Sequence, residues 1–96
     1  MRMMLRFQVG NAAGSKAVKD GSMGRVLEAL MSELKPESAY FFTQDGKRTG
    51  QVVFQMNDSA DMPRAAERLF QELDAAIEVC PVMNLDDLRT GLGKLR

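Results

Sequence analysis

The sequence predicts one α+β domain whose elements run β-α-β-β-α-β, the split βαβ arrangement. The clearest sign is Asp45-Gly46 between two strand-like runs, Ala39 to Gln44 and Thr49 to Met56. Asp and Gly both tolerate the positive φ that a type I′ turn requires, so this dipeptide is a strong hairpin signal. The second sign is a pair of helix-like segments, one on each side of the hairpin, with apolar residues at three- and four-residue spacing. The third is a further strand-like run outside each helix.

Met3 to Val9 is the first strand. Met3, Leu5, Phe7 and Val9 alternate with Met4, Arg6 and Gln8, the period of a half-buried strand. Asn11 to Asp20 is small and polar and reads as a connection with a helical turn around Ser15 to Lys19. The exact start of the first helix is left open. Its firm part runs from about Ser22 to Leu34, with Met23, Val26, Leu27, Leu30, Met31 and Leu34 as the stripe and Asp20 or Ser22 as cap. Pro36 stops it, because the residue before proline avoids the α region. The second helix starts near Ser59 or Asp61, tolerates Pro63 in its first turn, and carries Ala66, Leu69, Phe70 and Leu73.

Ala76 to Met83 is the fourth strand, with Ile77 and Val79 in one row and Glu78, Cys80 and Val82 in the other. Pro81 suits only an edge strand. A ferredoxin-like sheet of order 4-1-3-2 places strand four there. Asn84 then caps a short terminal helix whose first turn holds Asp86 and Asp87, with Gly91 and Gly93 as termination signals. Residues 1–96 form a single domain, without repeats, low-complexity segments or an interdomain linker.

Composition narrows the function classes. Thirteen basic residues balance thirteen acidic ones, so no cationic field for nucleic acid is expected, and Arg89, Lys94 and Arg96 read as a solvated face. The absence of histidine removes Ser-His-Asp and Cys-His catalysis and histidine metal sites. No metal and no cofactor is expected. Cys80, the only cysteine, reads as a small buried hydrophobe in a reducing compartment, and the eight methionines as adaptable packing. Arg6 and Gln8 break up the apolar start before a signal peptide can form, and no run approaches a membrane span. A cytoplasmic protein with no membrane partner is expected. Gly10 to Lys16 departs from a P-loop in spacing and reads as a flexible connection. RNA stacking is excluded because Thr49, Gln51 and Arg6 stand where base-stacking aromatics would.

A two-residue turn pairs Gln44 with Lys47, Phe42 with Thr49, Tyr40 with Gln51 and Ser38 with Val53. Opposed residues share a face. Ala39, Phe41, Gly50, Val52, Phe54 and Met56 then lie beneath the helices with Leu5, Phe7, Ile77 and Val79. The other face carries Met4, Arg6, Gln8, Tyr40, Phe42, Gln51, Val53, Gln55, Glu78, Cys80 and Val82. It is too apolar for free solvent and too polar for a core, which marks an interface or a ligand site. The expected ligand-binding residues are Arg6, Gln8, Tyr40, Phe42, Gln51, Gln55 and Glu78. Catalytic candidates are Arg6 to hold a carboxylate or enolate, Glu78 as proton acceptor and Tyr40 as oxyanion donor. The first reading of these residues is nevertheless structural: an Arg6–Glu78 ion pair inside a dimer, with Tyr40 as a plain interface residue.

Lys35-Pro-Glu-Ser-Ala-Tyr-Phe-Phe42, Asp45-Gly-Lys-Arg-Thr-Gly50 and Pro81-Val-Met-Asn-Leu-Asp-Asp-Leu88 carry a resemblance. In these stretches the chain resembles small uncharacterised bacterial proteins of the dimeric α+β barrel superfamily. The resemblance implies a homodimer formed by packing two sheets, and a pocket for a small organic ligand between sheet and helices. The wider superfamily holds antibiotic-biosynthesis-type monooxygenases, muconolactone isomerases and haem-degrading enzymes. The missing histidine departs from the haem-degrading members, and no catalytic residue carries over. Two functions are expected from this reading. One is a homodimeric small-molecule-binding or interaction protein. The other is a cofactor-free isomerase or monooxygenase acting on a small aromatic or enolisable substrate.

Overall fold

A computed structural model describes residues 1–95; Arg96 lies outside the described residues. The order is β1 (Arg2–Val9), α1 (Asn11–Asp20), α2 (Ser22–Leu34), β2 (Ser38–Gln44), β3 (Lys47–Gln55), α3 (Met62–Leu73), β4 (Ala75–Pro81) and α4 (Leu85–Leu92). A 3-10 turn, Ser59–Asp61, leads into α3. The four strands form one antiparallel sheet in the order β2-β3-β1-β4, which from the other edge reads 4-1-3-2. Asp45 (φ 56°) and Gly46 (φ 73°) both sit in the left-handed region, as a type I′ turn demands. Gln44 accordingly opposes Lys47, and the hairpin register is the expected one. β4 is an edge, so Pro81 costs the ladder little.

One face of the sheet carries the core. Met3, Leu5, Phe7 and Val9 of β1 and Val52 and Phe54 of β3 pack with Ala17, Val26, Leu30, Ala65, Leu69 and Leu73 of the helices. α4 has no buried residue and takes no part.

The helical turn expected around Ser15 to Lys19 is part of a full helix of 10 residues, α1, which replaces the flexible connection expected over Gly10 to Lys16. Its buried residues are Gly14 and Ala17, small enough to fit close to the sheet but too weakly apolar to show a stripe in sequence. Gly21 (φ 82°) ends α1 and turns the chain into α2. The N-cap of α2 is Gly21 and not the expected Asp20 or Ser22, but the Asp20 carboxylate accepts the Ser22 backbone N–H at 2.8 Å and ties the junction together.

Four further corrections are local. Cys80 is exposed and not buried, because it stands on the open row of the edge strand β4. Phe41 lies on the helix-side row but is 53 % exposed, because the helices stop short of the β2 edge. Phe70 is 44 % exposed, and Ala65 takes its place in the α3 stripe. Gly91 lies inside α4, which ends at Gly93.

The α1–α2 junction makes stability pH-dependent. The Ser22 hydroxyl and then its backbone N–H hold the Asp20 carboxyl below its ordinary range, helped by Arg25 and Lys16. A folded pKa below the unfolded one stabilises above the unfolded value, and the gain is lost as pH falls through the folded value. Wild type is therefore expected to exceed Asp20→Asn in urea midpoint at pH 7, with the gap closing as the carboxyl protonates in acid.

Candidate functional site

The open face of the sheet holds a polar pocket of about 230 Å³ near the hairpin turn. Arg6, Gln8, Gln44, Asp45, Thr49, Ala76, Ile77 and Glu78 line it. Register explains the gathering. Arg6 opposes Glu78 of β4 and Gln51 of β3, while Gln8 opposes Thr49 and Ala76. Alternation along β1 directs Arg6 and Gln8 away from the core, so the central strand supplies the charge and the amide.

Hydrogen bonds fix the floor. An Arg6 Nη2–H donates to Gln44 Oε1. Gln8 Nε2 donates to the Gln44 carbonyl at 3.0 Å and to Thr49 Oγ1 at 3.3 Å. The Thr49 hydroxyl in turn donates to the Lys47 carbonyl at 3.1 Å. Thr49 is the one polar side chain counted as buried among the described residues, 4 % exposed. The Arg6 guanidinium lies 5.4 Å from the centre of the Phe42 ring, a cation–π contact.

Arg6 and Glu78 share a strand pair and a face, but they do not form the expected ion pair. The Arg6 side chain leans the other way, over β3 toward Gln44 and Phe42 at the β2 edge. Among the described residues no carboxylate lies within ion-pair distance of Arg6. Its Nε is buried without a hydrogen-bond partner. A buried unsatisfied donor costs about 1–3 kcal/mol, and a guanidinium offers a planar fork that suits a carboxylate. The site is thus a half-buried cation held by a neutral amide and an aromatic ring, with Glu78 and Asp45 exposed at its rim.

Of the expected ligand residues, Arg6, Gln8 and Glu78 meet in the pocket. Phe42 touches it only through Arg6. Tyr40 is 66 % exposed and lines no part of it, nor do Gln51 and Gln55. Gln55 opposes Arg2 at the far end of the sheet. Sequence reasoning missed Gln44, Asp45 and Thr49 as lining residues. The hairpin register held the signal for two of them, since Gln44 and Thr49 share the open row with Phe42.

No helix among the described residues is long and apolar enough to cross a membrane. No family model matches the sequence, and no curated protein matches it. Solved structures do match. The de novo designed protein Ferredog-Diesel is 12 % identical, with a TM-score of 0.53, over 84 % of this chain and 85 % of that one. A formyltetrahydrofolate deformylase from Pseudomonas putida KT2440 is 16 % identical, with a TM-score of 0.55, over 85 % of this chain. This chain spans 29 % of the length of that deformylase. MupZ from Pseudomonas fluorescens is 16 % identical, with a TM-score of 0.47, over 96 % of this chain and 80 % of that one. For the designed protein and the deformylase the likeness is one of fold, a small α+β domain, and carries no activity.

Proposed function

We propose that this chain is a ferredoxin-like domain that pairs with a second copy through its open sheet face and binds a small organic anion at Arg6. The carrying observation is the unneutralised Arg6 guanidinium, half buried in a pocket with a donor unpaired. A free cation on a core-like surface is expensive unless something completes it. The acidic rim formed by Asp45 and Glu78 disfavours polyanions and fits a monocarboxylate. The dimer reading rests on the rest of that face, where Tyr40, Phe42, Met4, Val53 and Val82 are left at least partly in solvent. The lone Cys80 fits a reducing compartment, and we place the protein in the cytoplasm.

Benzoate tests the site. In a heteronuclear NMR titration it is expected to shift the Gln8, Gln44 and Thr49 signals saturably, while neutral benzamide leaves them in place. Equal, unsaturated responses to both would defeat the reading. Tyr40 is the only tyrosine and there is no tryptophan, so intrinsic fluorescence reports on that open face alone. Dilution of the dimer is expected to change Tyr40 emission and halve the mass in light scattering together; a monomer at micromolar concentration would contradict the assembly.

One observation favours a second reading, a cofactor-free isomerase or monooxygenase for a small aromatic or enolisable substrate. Arg6 and Glu78 line the same pocket unpaired, one able to hold an enolate and the other to take a proton. Tyr40 has no part in it, being outside the pocket. Any turnover found is expected to vanish in Glu78→Gln.

A further inference from the structure

α4 is the largest feature that the pocket leaves unexplained. Its Leu85, Leu88 and Leu92, with Leu95 just beyond, follow helical spacing, and they are 61, 39, 56 and 77 % exposed. A row of four leucines in water is not a stable end state for an otherwise well-made helix. The helix is well made: Asn84 accepts the Asp87 N–H at 2.8 Å and the Asp87 carboxylate accepts the Asn84 N–H at 3.1 Å, a reciprocal capping box. It is also anchored. Arg2, on the open-face row of β1, donates to Asp87 Oδ2 and to Glu37 Oε1, both at 2.6 Å. The arm is thus fixed at the end of the open face while its apolar side touches nothing buried.

Molecular shape points the same way. The radius of gyration is 15.1 Å and the long axis 54 Å. A compact chain of this length has a radius near 12.5 Å, roughly. Area supplies the occupant. A face of four strands about 4.8 Å apart and about seven residues long covers roughly 450 Å² before side-chain relief is counted. A stable complex usually takes about 800 Å² from each partner. The leucine row adds apolar area to the small flat face of a sheet-to-sheet dimer.

We infer that α4 is an arm that packs its leucine row on the open sheet face of a second copy of this chain, an inference that rests on the sheet-face dimer proposed above. A two-fold axis in the contact plane and parallel to the strands lays each β4 edge over the partner's β2 edge. The arm leaving β4 then comes to the start of the second copy's β2, the end of the sheet nearest its exposed Tyr40. Two arms exchanged in this way cover the Arg2 ends of both open faces, away from the Arg6 pocket at the hairpin end.

Sedimentation equilibrium on the full chain tests it with Leu92→Lys and Leu92→Met. Lysine in the last turn suits the helix dipole, so α4 itself is retained. Removing one buried leucine per arm is expected to raise the dimer dissociation constant about tenfold or more. Leu92→Met, which keeps the volume and apolar character, is expected to stay within about threefold of wild type. A wild-type dimer with Leu92→Lys unchanged overturns the arm and leaves the sheet-face dimer standing. A lower thermal midpoint for Leu92→Lys at concentrations where all chains are monomers also overturns it, because the leucines then pack on their own subunit. A wild type that is monomeric throughout overturns the dimer reading and the arm together.

Discussion

Gly50→Val is expected to lower folding stability by about 2–3 kcal/mol, the cost of overpacking a filled core. Gly50 sits in the middle of β3 opposite Phe7 of β1 and Phe41 of β2. A Cβ placed there would stand 2.5 Å from Phe7 Cε1 and 3.1 Å from Phe41 Cδ1. The Phe7 ring cannot simply swing away. It is 3 % exposed, belongs to the helix-side core, and meets Phe41 at a centroid distance of 6.4 Å and a tilt of 59°. On intrinsic preference alone valine would improve a strand, so the expected sign comes entirely from this contact. Urea unfolding at one fixed protein concentration measures it. Phe7→Leu in the same chain should recover part of the loss, giving a coupling well outside additivity. A Gly50→Val protein within about 0.5 kcal/mol of wild type would show that the ring relocates freely.

The same contact shows where sequence reasoning reached and where it stopped. Period-two alternation and a turn with two positive-φ residues settled the faces of β1 and of the β2–β3 rows that were assigned, and the pairing of β2 with β3. Those are local rules, and the chain obeys them. Alternation could not say how far the helices extend sideways. Phe41 therefore belongs to the right row and is still half in solvent, because β2 is an edge. Phe70 fails for a related reason: it is one position beyond Leu69, about 100° around the helix, and only one of the two can face the sheet. α1 escaped because Gly14 and Ala17 pack by being small, and small side chains leave little apolar signal.

At the site, register alone brought Arg6, Gln8 and Glu78 together, as the sequence indicated. What register cannot give is the direction of a long side chain. Arg6 had a carboxylate on one flank and an amide with an aromatic ring on the other. It took the second. That choice turns an expected structural ion pair into an open charge, and it is the reason the pocket carries a binding hypothesis.

Arg6→Met is expected to separate binding from stability. Loss of a charge-assisted hydrogen bond to a ligand costs about 1.5–3 kcal/mol, which lowers benzoate affinity about 10- to 100-fold. Stability of the unliganded protein should hold within about 1 kcal/mol, because two effects of opposite sign meet at this residue. Methionine gives up the Gln44 hydrogen bond and the contact with the Phe42 ring. It also abolishes the buried, unpaired Nε and the cost of half burying an unneutralised charge. Arg6→Lys should fall between the two for benzoate, since it keeps the charge and loses the planar fork. A purely structural arginine behaves differently: its removal lowers the unfolding free energy by more than about 2 kcal/mol and leaves small-anion binding untouched. Isothermal titration with benzoate and urea melts on the same preparations decide between them, and saturable benzoate binding that survives in Arg6→Met would move the site elsewhere.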